Sequence, residues 1–248
     1  MILEALPHED RLAIWELVRS DHDGDVLLEV SDSVRASLLA TMDREELLNA
    51  ANSLEADELA DLAPDLPEYV MQDVFTALPL EEREQLKFAL SYAEDTVGAL
   101  MDFDLVTLRA DVRIEVILRY LRRMEDLPDH TDKLFVVDRI GQFQVVLFLK
   151  TLLLSDPEQE VAQVMAREVV RFHPEDKARE TADAFERYDL ISAPVIDEQN
   201  RLIGRVTVDA VVDFIREASD EERLAQVGLR EEEDIFAPIL RSVQNRAP

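Results

Sequence analysis

Residues 169–215 read VVRFHPEDKARETADAFERYDLISAPVIDEQNRLIGRVTVDAVVDFI. Ala193–Ile196 and Leu202–Val206 are short runs rich in β-branched residues on either side of a turn-forming segment, Asp197–Arg201, which predicts a hairpin. Apolar residues at helical spacing predict a helix over Ala178–Arg187 before it and another over Val208–Arg216 after it. The same order occurs upstream, with a helix over Ile114–Met124, strands over Leu134–Val137 and Val145–Leu149, and the turn Asp138–Gln142 between them. Leu100-Met101 matches Val164-Met165 at an offset of 64, and Val137-Asp138 matches Ile196-Asp197 at an offset of 59. The difference is taken up near Glu125–Lys133. From about Val97 onward the chain is therefore an internal duplication of a β-α-β-β-α unit.

The first hundred residues follow another rule. Leu6-Pro7, Val30-Ser31, Met42-Asp43, Leu54-Glu55, Leu66-Pro67 and Leu78-Pro79 each open a phrase of acidic residues followed by a Leu-rich run, and from Val30 the phrases recur every twelve residues. Proline suits the first helical position and acidic residues suit the positive end of the helix dipole, so each phrase predicts one short helix. Helices this short are unstable alone and must bury their apolar stripes on one another. Trp15 and Phe75 lie in such stripes and are assigned to the core. The fold class is α+β multi-domain: a right-handed superhelical all-α domain of short stacked helices, then the duplicated unit.

The 248 residues carry 55 acidic and 26 basic side chains, a net charge of −29. Residues 1–100 hold 24 acidic and 6 basic groups, net −18, so the excess is concentrated there. Such a field repels nucleic acid and anionic lipid headgroups and favours cations as partners, although solubility alone is the competing explanation. Zero cysteines exclude disulfides and thiolate metal sites and agree with a reducing, cytoplasmic setting. Neither an export signal nor a membrane-spanning run is present. No paired-acid cleft motif, Ser/His/Asp set or phosphate loop is found, and His8, His22, His130 and His173 are scattered in polar contexts, so no enzyme is expected.

Residues 169–215 resemble a CBS domain over their whole length. The marks are Tyr188-Asp189 ahead of Ala193-Pro194-Val195, and Gly204, Val206, Thr207 and Asp209 at the strand-to-helix junction. The upstream copy, Leu100 to Leu154, is a weaker match: Lys150 stands where the second copy has Asp209, and Gly204 has no glycine counterpart. A Leu-rich helical domain ahead of two CBS units is the layout of the cytosolic region of the MgtE magnesium channel family; Ser53 to Asp61 and Val97 to Met101 are especially similar to it. The resemblance implies a helical N-domain at 1–96, CBS repeats at 97–160 and 161–218, and at 219–248 an acidic segment and the start of a connecting helix. The family's pore follows, so the chain reads as a fragment ending before the membrane, or as a pore-less relative.

Asp209, Asp213, Glu217 and Glu221 follow one another at four-residue spacing and form a column on one helix face, where like charges repel unless a cation lies between them. Asp57 and Asp61 make the same pairing in the first domain, and Asp189 lies in a loop able to approach the column. Mg²⁺ takes oxygen ligands and keeps several waters, so scattered carboxylate pairs suffice; solvated helix faces are the plain alternative. By position, the resemblance implies Mg²⁺ held by Asp57, Asp61, Asp189, Asp209, Asp213, Glu221 and Glu222. Ala210, Lys177 and Arg179 replace acidic positions of the family pattern. Many CBS pairs bind adenine nucleotides such as ATP through a Thr and an Asp matched here by Thr207 and Asp209, with Lys177 or Arg205 near the phosphates; a helix-capping Thr reads the same. The expected function is a Mg²⁺-sensing regulatory region that compacts and closes an attached pore, homodimeric through its CBS units. The rivals are a nucleotide-reading CBS regulator and a helical-repeat adaptor that docks a protein partner.

Overall fold

The computed structural model describes residues 2–15, 17, 22–124, 126–166 and 168–227, and for residues 217 and 220–227 the backbone alone. They fall into two compact units, one built on residues 1–88 and one of residues 89–216.

The first unit is all-helical: α1 His8–Trp15, α2 Asp23–Glu29, α3 Asp32–Leu39, α4 Arg44–Asn52, α5 Ala56–Leu62, α6 Glu68–Ala77 and α7 Leu80–Ala89. Six of these helices begin two residues after the six phrase starts. The phrase works because its polar residues close the helix ends. At α4 the Asp43 Oδ1 accepts the N–H groups of Glu45 and Glu46 at 2.8 and 3.0 Å, while Glu46 Oε2 accepts the N–H of Asp43 at 2.7 Å. Proline stands one residue earlier than expected: Pro67 is the N-cap of α6 with extended backbone.

Helix α2 has no phrase of its own, and its sequence begins with Asp-Gly-Asp, a combination that reads as a turn. Packing decides there. A Cβ at Gly24 would lie 2.7 Å from the Ala50 carbonyl oxygen of α4, so only glycine permits this approach. Leu27, Leu38, Leu59, Leu62, Val70, Val74 and Leu86 are wholly buried, and Trp15 and Phe75 pack partly buried against them, as core side chains. The Arg35 guanidinium donates to the carbonyls of Leu27 and Leu28 and pairs with Asp65 at 3.1 Å, tying α3 to the end of α2.

The second unit contains β1 Thr107–Leu108, α8 Ile114–Leu121, β2 Lys133–Val137, β3 Phe143–Phe148, α9 Leu149–Leu154, α10 Val161–Val164, α11 Ala178–Tyr188, β4 Ser192–Ile196, β5 Leu202–Thr207 and α12, which runs from Val208 to Val227. β1 pairs parallel with β2, which pairs antiparallel with β3; β4 and β5 form a second antiparallel pair. The last helix is longer than the predicted Val208–Arg216.

The backbone repeats the duplication bond for bond. Asp138 Oδ1 accepts the N–H groups of Ile140 and Gln142, and 59 residues later Asp197 Oδ1 accepts those of Gln199 and Arg201. Both hairpins are bulged at the equivalent step, Val136/Val137 and Val195/Ile196. The repeats also exchange segments. Val97 N–H donates to Asp176 O and Gly98 N–H to Pro174 O, whereas at an offset of 64 Val161 N–H donates to Val112 O and Ala162 N–H to Ala110 O. Each repeat therefore borrows a short segment lying just before the other. The hairpin tips meet on the pseudo-twofold axis, where Phe143 N–H donates to Asn200 O at 2.8 Å and Leu202 N–H to Gly141 O at 3.3 Å. Phe135, Phe143, Val146 and Ile196 form a shared core across this seam.

Candidate functional site

Helix α12 follows β5 with no intervening loop, so the strand fixes where its first carboxylate stands. Asp209 occupies the first turn, where the helix dipole favours it, and Asp213 lies one turn further along the same face; both are exposed. His130 Nε2 lies 3.3 Å from Asp209 Oδ2, and Arg216 Nη1 donates to Asp213 Oδ1 at 2.9 Å. The α12 backbone is continuous to Val227, whereas the side chains of Glu217, Glu221 and Glu222 lie outside the described residues. His130 is exposed, as its reading as a surface histidine expects, and it belongs to this face. It adopts a left-handed φ of 53°, a tight-turn position that no sequence spacing announces.

Asp189 is the C-cap of α11, left-handed at φ 50° and ψ 48°, a conformation that Asp tolerates better than most residues. Two residues on, the Ile191 carbonyl accepts the N–H of Val208 at 2.9 Å, so the loop bearing Asp189 is bonded to the start of α12. In the first unit, Asp57 lies half-buried in the first turn of α5 and Asp61 exposed in its last. Their neighbour Asp65 is committed to Arg35. All these donors are carboxylate oxygens, the ligand type Mg²⁺ prefers, and the exposed ones leave room for the waters that ion retains.

Thr207 ends β5, buried, opposite Ser192 of β4. The two cations expected beside it are occupied elsewhere. Lys177 Nζ pairs with Asp95 at 2.6 Å, and Arg205, 3% exposed, binds Asp102 through Nε and Nη2, each at 2.7 Å. Lys133 stands nearby instead: its buried Nζ donates to the Ser192 carbonyl at 2.6 Å and lies 3.1 Å from Asp132 Oδ2. Lys133 and Lys150 flank the Phe148 ring at 5.6 and 5.5 Å from its centroid. Burial lowers the Lys133 pKa, and Asp132 opposes that shift. In the sequence Lys133 stands only as a basic residue at the end of the segment Glu125–Lys133, just ahead of the expected strand Leu134–Val137.

No helix among the described residues is long and apolar enough to cross a membrane. Residues 1–95 match the MgtE intracellular N domain and residues 161–217 match the CBS domain. The chain is 30% identical over 237 residues to the magnesium transporter MgtE of Thermus thermophilus, covering 89% of this chain and 52% of that protein. It spans about half the length of the curated relatives it matches. Among solved structures, it superposes on the cytosolic domain of the Mg²⁺ channel MgtE in complex with ATP with a TM-score of 0.64 at 30% identity, covering 86% of this chain and 92% of that one. The soluble part of a magnesium transporter matches with a TM-score of 0.74 at 23% identity, covering 88% and 86%, and supports the fold. These relatives are transporters and parts of transporters rather than enzymes. A stacked-helix domain matched to one family model, a duplicated unit of which the second copy matches another, and a 30%-identical counterpart covered almost end to end lead to one assignment: the chain belongs to the MgtE family and comprises the cytosolic region of that family, its N domain followed by its pair of CBS repeats.

Proposed function

We propose that this region regulates magnesium transport by sensing Mg²⁺, acting on the pore domain of the same full-length protein. The observation that carries this reading is the exposed carboxylate face of α12, Asp209 and Asp213, in a chain of net charge −29. Without a dication, carboxylates of the helical domain, the CBS pair and the connecting helix repel one another and favour open states. A dication relieves that repulsion only where the carboxylates are close together, so it shifts the population toward a compact state. The ligand set is Asp57, Asp61, Asp189, Asp209, Asp213, Glu217, Glu221 and Glu222, and it holds Mg²⁺ weakly enough for sensing because the ion keeps most of its water.

The test is scattering and thermal melting against Mg²⁺ for the native chain and for the triple variant Asp209→Asn, Asp213→Asn, Glu221→Gln. The native chain is expected to contract and to gain about 1.4 kcal/mol per site when Mg²⁺ is tenfold above its Kd. The variant should be compact at the outset and respond weakly. If the variant still needs Mg²⁺ to contract, the α12 face is not the sensor.

A second ligand, an adenine nucleotide, is supported by Thr207 and the exposed Asp209 at the junction of β5 with α12, whereas Lys133 is held by the Ser192 carbonyl and Asp132 and is not free to meet its phosphates. Calorimetry with ATP in the same series separates the readings: tight ATP binding together with indifference to Mg²⁺ would favour a nucleotide regulator. We also infer a homodimer through the CBS units. Val212 and Ile215 expose one apolar side of α12, and Tyr188 and Ile191 lie exposed just ahead of β4. Changing Val212 and Ile215 to Glu is expected to shift sedimentation from dimer to monomer; an unchanged sedimentation coefficient would exclude this face.

A further inference from the structure

The first helix of the first repeat carries a charge that neither the fold nor the proposed sensor uses. Residues 109–123 hold five of the chain's 26 basic residues against two carboxylates, Asp111 and Glu115. Arg109 is bound to Asp111. Arg119, Arg122 and Arg123 are exposed and have no ion-pair partner among the described residues, in a protein with two carboxylates for every cation. They line an open groove of about 420 Å³ with Leu118, Pro157 and, toward the helix N-terminus, Glu115.

The duplication supplies an internal control. At an offset of 64, Arg119 of α8 and Arg122 at its C-cap correspond to Asp183 and Glu186 of α11, both exposed, whereas Arg123 corresponds to Arg187. Two helices with the same role in the fold thus carry opposite charge at two of these three positions, so packing does not require Arg119 or Arg122. Apolar groups extend the patch. Val116 and Tyr120 are 44% and 54% exposed on α8, and Leu153 and Leu154, at the end of α9, are 71% and 89% exposed. That end lies beside the groove, because Pro157, three residues after Leu154, accepts the N–H of Glu115 at 2.9 Å.

We propose that the α8–α9 face, with Arg119, Arg122 and Arg123 beside Tyr120, Leu153 and Leu154, docks on an anionic phospholipid surface. Arginines joined to exposed leucines and an aromatic ring form the pattern that lies in the interfacial zone of a bilayer. Charge complementarity selects the lipid: the inner leaflet is anionic, and the rest of this chain would be repelled from it, so this face sets the orientation of approach. The inference rests on the reading of the chain as the cytosolic part of a membrane transporter, because tethering to that membrane makes a weak contact effective.

The test is co-sedimentation of the full chain, in chelator and low salt, with vesicles of equal parts phosphatidylglycerol and phosphatidylcholine, and with phosphatidylcholine alone. Binding is expected only to the anionic vesicles and should fall steeply with salt. Changing Arg119, Arg122 and Arg123 to Gln should weaken it by on the order of a hundredfold, since each arginine near such a surface contributes about fivefold. Changing the three to Lys should preserve it, because a lipid surface reads charge, whereas a protein carboxylate docked bidentately would be lost. The substitutions are exposed, and an unchanged melting curve verifies folding. No binding to anionic vesicles, binding that survives the Gln variant, or a Gln variant that alters self-association alone would each overturn the proposal. A chain that answers Mg²⁺ yet ignores the vesicles refutes only the docking face; one that binds vesicles without a Mg²⁺ response refutes only the sensor.

Discussion

Replacing Arg205 by Met will lower the stability of the CBS unit by about 3 kcal/mol, because it strands a carboxylate whose side chain is 16% exposed. Arg205 lies within β5, and its guanidinium grips Asp102 from two nitrogens, while the backbone N–H of each residue donates to the carbonyl of the other. The pair therefore fastens a borrowed segment to the second repeat. Burial raises the Asp102 pKa above 3.8, and Arg205 acts against that shift. A carboxyl that holds its proton more tightly in the fold contributes stability that is present below pH 3.8 and lost as pH rises through its folded pKa. Without Arg205 the folded pKa moves higher and the loss deepens toward neutral pH. Urea unfolding of the native and Arg205→Met chains should consequently differ most at pH 7 and converge as the pH falls toward 4. Equal differences at both pH values would show that packing, rather than the stranded charge, sets the cost. The double variant Arg205→Met, Asp102→Leu should recover most of the stability, since an apolar pair leaves no buried charge.

Changing Phe135 to Ala should cost about 3–5 kcal/mol by a different route, the loss of buried area and the cavity that remains. Phe135 is 1% exposed on β2, the middle strand of its sheet. It packs in the cluster that also contains Ile196, with Leu202 against it, so one ring joins the cores of both repeats. The expected result in calorimetry is a single CBS transition displaced to lower temperature, not one repeat melting ahead of the other. Two resolved transitions in the variant would show that the repeats are held together chiefly by their exchanged segments and hairpin tips.

Much of the fold was legible because its signals are local. The six phrases located six helices, since an acidic residue near a helix N-terminus acts within one turn and needs no distant partner. The turns Asp138–Gln142 and Asp197–Arg201 were legible for the same reason: one aspartate side chain closes each. Helix α2 was not, because Gly24 is there to meet the α4 backbone, a contact 26 residues away in sequence. The exchange of segments between repeats was equally hidden, although the 64-residue offset that it obeys was visible.

The candidate site divides in the same way. Spacing along one helix placed Asp209 and Asp213 on a common face, because helical periodicity depends on the chain alone. What surrounds them comes from elsewhere in the chain: His130 from the loop before β2, and the loop of Asp189 through a bond from Val208 to Ile191. Lys177 and Arg205 looked free in the sequence and are bound to Asp95 and Asp102 in the fold, because a cation's partner is set by which segments pack together. Local rules along the chain suffice for the helical domain, the duplication and the placement of carboxylates on one helix. Which charges find partners, as Lys177 and Arg205 do, and which, as Arg119, Arg122 and Arg123, find none among the described residues depends on the packed fold, because pairing is a matter of distance in space and the sequence records only distance along the chain.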